Sequence, residues 1–156
     1  MSSDPVAALE VPVLNRKSLY PPPFAARVEG RRKHRLGDHF GLSNFGINLT
    51  ELAPGAVSAL QHHHTRQDEF VYVVAGAPTL RLGQQEFQLQ AGDCCGFRAG
   101  DGVGHQLVNN TDAAVLYLEV GDRTAGDAAT YTEDDLALAP APDGSWRVAR
   151  KDGTPY

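Results

Sequence analysis

Three consecutive histidines, His62, His63 and His64, are followed five residues later by Glu69, and a further histidine, His105, stands just after a glycine-rich stretch. Imidazole nitrogens and carboxylate oxygens are ligands for divalent metals, so the chemistry depends on whether these side chains can meet. Along an extended strand the side chains alternate faces, which puts His62 and His64 on one face and His63 on the other. A turn near Thr65 to Asp68 lets Glu69 open the next strand alongside them. His105 reaches the other three only if the sheet closes on itself, as in a barrel. His62, His64, Glu69 and His105 are therefore the expected ligands of one divalent ion. Fe, Mn, Ni, Co, Cu and Zn all suit three imidazoles and a carboxylate, with one or two positions left for water or substrate. The histidine run is internal and flanked by β-prone segments, which sets it apart from an appended tag. His34 and His39 stand alone and read as surface or hydrogen-bonded residues.

The elements that must position these residues are short. From Phe45 onward, β-prone runs at 47–52, 59–64, 70–74, 79–82, 86–89, 94–97, 104–108 and 115–120 alternate with turn residues, and no apolar stripe of helical period appears. Gly83-Gln84 fits a two-residue hairpin loop. Eight such strands are enough for a barrel or jelly roll, so the fold class is all-β. Residues 1–30 are rich in Pro and Ala and contain Pro21-Pro22-Pro23, which predicts an extended N-terminal arm. After Gly121 the chain turns polar, and Thr132-Glu133-Asp134-Asp135 ahead of Leu136 resembles a helix start with acidic residues at its positive end. The segment from Trp146 to Tyr156 is expected to return as an edge strand or docked tail.

A chain of 156 residues with 42% apolar and 21% charged residues fits one soluble globular domain. The net charge of −5 and the shortness of the Arg31-Arg32-Lys33 cluster argue against a nucleic-acid footprint, and that cluster reads as a solvated loop or strand edge. No membrane span or signal-type apolar run is visible, so the expected location is cytoplasmic. The vicinal Cys94-Cys95 pair cannot staple the fold and reads as reduced packing groups.

Gly55, His62-x-His64, Glu69 and Gly76 resemble the first motif of the cupin superfamily, and Gly92, Gly100, His105 and Asn109 resemble the second. Together they cover about half the chain, in the order and at roughly the spacing of that superfamily. The resemblance implies a double-stranded β-helix, or jelly-roll, barrel over 45–121, with residues 1–30 as an arm and 122–156 as a C-terminal extension of one domain. Departures fall in turns. The interval from Gly55 to His62 is longer by one residue, that from Gly100 to His105 by two, and Arg98 stands where a proline is common. Residues 36–48 and 150–156 are similar to small bacterial cupins sometimes labelled sugar-phosphate isomerases.

A divalent ion with one carboxylate ligand keeps net positive charge and attracts a chelating oxygen pair, so the expected ligand is a small oxygenated, anionic molecule. Arg98 reads either as a surface ion pair or as a contact to a second anionic group on that molecule. A metal-dependent isomerase, lyase or dioxygenase is the leading function, and a non-catalytic binding or sensor barrel is the alternative. An isomerase or lyase also needs a general base, and the sequence offers no free one. Asn48 and Thr50 share a strand face and could orient substrate. Open sheet edges and the arm lead to the expectation of a homodimer.

Overall fold

The computed structural model describes residues 4–13, 18–143 and 145–156. Among these, β1 (Arg31–His34), β2 (Phe45–Leu52), β9 (Val115–Asp122), β4 (Glu69–Ala75) and β7 (Cys94–Phe97) lie side by side in that order as a five-stranded sheet. A seven-stranded sheet follows the order β12 (Trp146–Ala149), β11 (Ala137–Pro140), β10 (Ala129–Tyr131), β3 (His62–His64), β8 (His105–Val108), β5 (Thr79–Leu82) and β6 (Gln85–Gln88). All pairings are antiparallel. The one α-helix among the described residues is a single turn, α1 (Leu36–His39). No helix is long and apolar enough to cross a membrane.

The sheets face each other because their strands alternate apolar and polar residues. Leu52, Val71, Phe97, Val115 and Tyr117 from one sheet pack against Leu80 and Leu107 from the other. This is the jelly-roll arrangement, which buries one face of each sheet. A second cluster, Val28, Leu60, Ala129, Tyr131, Leu136 and Leu138, sits under the C-terminal strands, with Tyr20 and Phe24 packed on it.

Several expected elements sit as drawn. β5 and β7 match in extent, and Leu82 pairs with Gln85 across Gly83-Gln84 with Gly83 at φ +59°, the conformation that suits glycine in a two-residue loop. The basic cluster lies on the edge strand β1, but only Arg32 is solvated as expected, since Arg31 and Lys33 are half-buried and line the space between the sheets. The strand expected from residue 59 begins only at His62. The arm is corrected more deeply. Phe24–Val28 forms a 3₁₀ turn, Val28 is buried, and Tyr20 and Phe24 cover the chain's own second core cluster rather than extending away. Parts of the arm at 1–3 and 14–17 lie outside the described residues.

The helix expected from Thr132 is absent, and in its place the acidic run forms the loop of the β10–β11 hairpin, closed by Tyr131 N–H donating to Leu136 O at 3.2 Å. Its carboxylates are used in tertiary contacts: Arg27 donates to Asp134 at 2.6 Å, and Lys151 N–H donates to Asp135 at 2.9 Å. The chain's end returns as the edge strand β12.

Asn109 closes the turn after β8. Its fully buried amide donates to Leu52 O at 2.9 Å and Ala113 O at 2.8 Å, and accepts from Thr111 N–H and Oγ1. Asn109→Ala leaves these groups without partners away from water and is expected to lower stability by about 2–3 kcal/mol. Urea denaturation checks this as a lower midpoint at unchanged slope.

Candidate metal centre

β3 and β8 are neighbours, and their register sets His62 opposite His105. That pairing brings the two rings to 4.8 Å between centroids. Glu69 arrives from the other sheet, at the start of β4, where it pairs with Phe97 and Gly121. Gly104, just before His105, must lack a side chain, because a Cβ there would lie 2.6 Å from Thr132 Oγ1. Phe97 then stacks on the His105 ring at 3.7 Å with an interplanar angle of 2° and fixes its plane.

The result is a convergence on one oxygen. Nε2 of His105, His64 and His62 lies 2.8, 3.4 and 3.7 Å from Glu69 Oε2. His63, on the other strand face, is not among them, as the alternation of side chains requires. The ligand atoms of His62, Glu69 and His105 all lie within 4.8 Å of one another, and His64 stands just outside this tightest group. These are the four residues expected from sequence, brought together by the closing of the barrel.

Two ring orientations are fixed from behind. His62 Nδ1 lies 2.8 Å from Leu60 O and His64 Nδ1 lies 2.6 Å from Asp127 Oδ2. Both partners are acceptors, so each Nδ1 carries the proton and each Nε2 turns a lone pair inward. Glu69 Oε2 is buried and has no well-directed donor, despite the short approach of His105. Three imidazole nitrogens converging on one sheltered carboxylate oxygen are the donor set of a divalent ion, so these residues fit a metal. Burial pushes the Glu69 carboxyl up, but the His105 and His62 rings outweigh it and hold its pKa well below the ordinary carboxylate value. Burial also lowers the pKa of His105, against the pull of Glu69.

Sequence reasoning missed Asp127, which holds this geometry. It is 2% exposed and lies in the loop before β10. One oxygen receives His64, while the other accepts the Thr65, Arg66 and Gln67 N–H groups at 3.1, 2.8 and 3.1 Å. One carboxylate thus caps the β3–β4 turn and orients a ring of the site. An Asp in a polar loop gives no periodic signal by which to find it.

The group borders a cavity of about 190 Å³ between the sheets. Across it lie Lys33, Tyr117 and Glu119 on the five-stranded sheet and Tyr20 from the N-terminal segment. Glu119 is a second carboxylate on this cavity, which the sequence reading did not single out when it found no free base. It accepts from Lys33 Nζ, from Asn48 Nδ2 at 2.8 Å and from the Tyr117 hydroxyl at 3.1 Å. Burial raises its pKa, yet the charge and hydrogen bond of Lys33, with Asn48, hold it below the ordinary value. The signal was present in the sequence, since Glu119 falls on the same strand face as Val115 and Tyr117. Asn48 and Thr50 face inward with it, paired in register to Glu119 and Tyr117. Arg98 is exposed and lines a shallow recess at the rim that it shares with His64, Glu69 and His105 of the candidate centre, along with His63 and Asp101.

Residues 48–121 match the family model described as the Cupin domain. A cupin-superfamily protein of Silicibacter pomeroyi, named a sugar phosphate isomerase, is 47% identical over 89% of this chain and 88% of its own, with a TM-score of 0.85. This chain belongs to the cupin superfamily. A protein of Acidithiobacillus ferrooxidans named a putative sugar phosphate isomerase is 28% identical to this cupin over 81% of the chain and 80% of its own, with a TM-score of 0.73. The polyketide cyclase RemF of Streptomyces resistomycificus shares the fold at 17% identity and a TM-score of 0.63, covering 78% of this cupin and 80% of its own chain. A search of curated proteins gives no match.

Replacing His62, His64, Glu69 or His105 by Ala is expected to abolish metal retention, whereas His63→Ala retains it, as read by elemental analysis of folded protein. Asp127→Asn is expected to weaken metal affinity about 10–100-fold by loosening His64. Retention should fall below about pH 6, where free imidazole protonates and competes with the ion.

Proposed function

We propose that this cupin is a metal-dependent isomerase-type enzyme acting on a small oxygenated, anionic metabolite of the sugar phosphate class. The observation that carries the reading is one cavity lined both by His62, Glu69 and His105 and by a second carboxylate, Glu119, that lies outside their group. The names of the Silicibacter and Acidithiobacillus relatives support the substrate class. The metal ligands are proposed as His62, His64, Glu69 and His105. When bound, the ion supplies a Lewis acid for carbonyl and hydroxyl oxygens.

Interconversion of an aldose and a ketose moves a hydrogen between adjacent carbons without net oxidation. A group in the cavity takes a proton from the hydroxyl-bearing carbon and returns it to the carbonyl carbon, while the hydroxyl proton passes to the former carbonyl oxygen. Glu119 has the charge and the placement for this, with Lys33 beside it to stabilise its ionised form. Tyr117, buried and hydrogen-bonded to Glu119, fixes the orientation of the carboxylate. Phe97 and Leu107 line the same cavity with apolar surface and limit the water that reaches the reacting carbons. A non-catalytic binding role is favoured by one observation, that Glu119 is already engaged by Lys33, Asn48 and Tyr117.

Metal-loaded protein incubated with a panel of aldose and ketose phosphates in D₂O is expected to exchange a carbon-bound hydrogen and form the paired isomer, followed by NMR. Glu119→Gln should lower that rate by about 10²–10⁴ without changing metal content. Tight binding of a panel member with no exchange overturns the enzyme in favour of the binding barrel.

A homodimer goes with this reading. The outward face of β4 presents Phe70, Tyr72 and Val74, each 41% exposed, next to the edge strand β7. Light scattering at micromolar concentration is expected to give twice the chain mass, and a monomeric mass refutes it.

A further inference from the structure

Arg31 and Lys33 enter the cavity together from β1, on the wall contributed by the five-stranded sheet, while His62 and His105 stand on the other sheet. Their charges are handled differently. Lys33 is matched by Glu119. Arg31 donates through Nη1 to the carbonyl of Ser58, and among the described residues no carboxylate forms an ion pair with it. A partly buried guanidinium with only a neutral acceptor retains both its charge and spare N–H donors. Beside it, Tyr20 lines the same cavity and packs edge-on against Tyr131, whose ring stacks on His62.

Arg98, the arginine singled out in the sequence, lies instead in the exposed rim recess, where water competes for its charge. The sheltered, unmatched cation is Arg31.

We infer that Arg31 is an anion subsite that takes the phosphate or carboxylate end of the ligand, placing its oxygenated end toward His62, Glu69 and His105 across the cavity. Lys33 adds a second cation beside it, tempered by Glu119. The inference rests on the proposed function for the identity of the ligand, but the subsite itself exists with or without metal. Planar guanidinium suits the paired oxygens of phosphate, and a cavity low in water strengthens the contact.

The test uses inorganic phosphate as the probe, titrated calorimetrically into metal-loaded and chelator-stripped full-length protein. Phosphate is expected to bind both forms. Arg31→Gln should weaken binding at least tenfold in each, Arg31→Lys should retain most of it, and Arg98→Ala should leave it unchanged. Glu119→Gln is expected to tighten binding severalfold, because it releases Lys33 from its counter-ion, and a misfolded variant could not produce that gain. No phosphate binding by the wild type, wild-type affinity in folded Arg31→Gln, or loss confined to Arg98→Ala overturns the subsite. Isomerisation of unphosphorylated sugars with no phosphate affinity would remove the subsite alone. Arg31-dependent phosphate binding without any isomerisation would uphold it and remove the catalytic reading.

Discussion

The candidate site depends on one constraint, the facing of two sheets that brings Glu69 to His62, His64 and His105. Three imidazole nitrogens and a carboxylate oxygen, all electron-rich, are held within a few ångströms of one another in a sheltered place. The apolar contacts of Leu52, Val71, Val115 and Tyr117 with Leu80 and Leu107 hold the sheets together at the distance that imposes this convergence. The barrel core thus supplies the free energy that holds the donor set in place, and a bound cation would stabilise the fold in return.

The inner surface is divided rather than uniformly apolar. Below the metal centre, Leu80, Leu107 and Phe97 fill space as any core does, whereas β1, β2 and β9 contribute Lys33, Asn48, Thr50, Tyr117 and Glu119 in adjacent register. Burying that many polar groups is unfavourable unless they satisfy one another, and here Glu119 accepts from three of them. A network of this kind in a cavity wall contributes less to stability than an apolar wall of the same size. Its value lies in presenting charge to a ligand.

Much of the metal centre was legible because its logic is local. Alternation along His62, His63 and His64 needs no tertiary information, and Glu69 and His105 follow from hairpin return and sheet closure. The strands from Thr79 to Leu82 and from Cys94 to Phe97 were equally plain, being bounded by Gly and Pro. What escaped was everything decided by distant partners. β10 and β11 are short and rich in Ala, and β10 becomes a strand by pairing with His62 to His64 while β11 pairs in turn with β10 and β12. The acidic run after Tyr131 has a helix-start composition, but Arg27 and the Lys151 amide claim its carboxylates. Glu119 was visible as a charge on an apolar strand face, a misfit that alternation alone marks as inward-pointing. Arg31 was masked by its neighbours, since a basic tripeptide reads as surface until the pairing of Arg31 with Leu52 shows which face it takes.

Asp127 joins two parts of the chain that the conserved barrel motif would treat as separate. It belongs to the C-terminal extension, yet its two oxygens hold the β3–β4 turn and the ring of His64. Tyr131, from the same extension, stacks on His62. The extension is therefore a removable-looking part that is thermodynamically coupled to the centre. Whatever favours the liganded posture of the two histidines favours docking of residues 127–131 by the same amount, and the reverse holds equally. A shorter barrel cut at Gly121 would keep every candidate ligand and lose the hold on two of them. The boundary of the functional unit thus lies beyond the boundary of the recognisable motif.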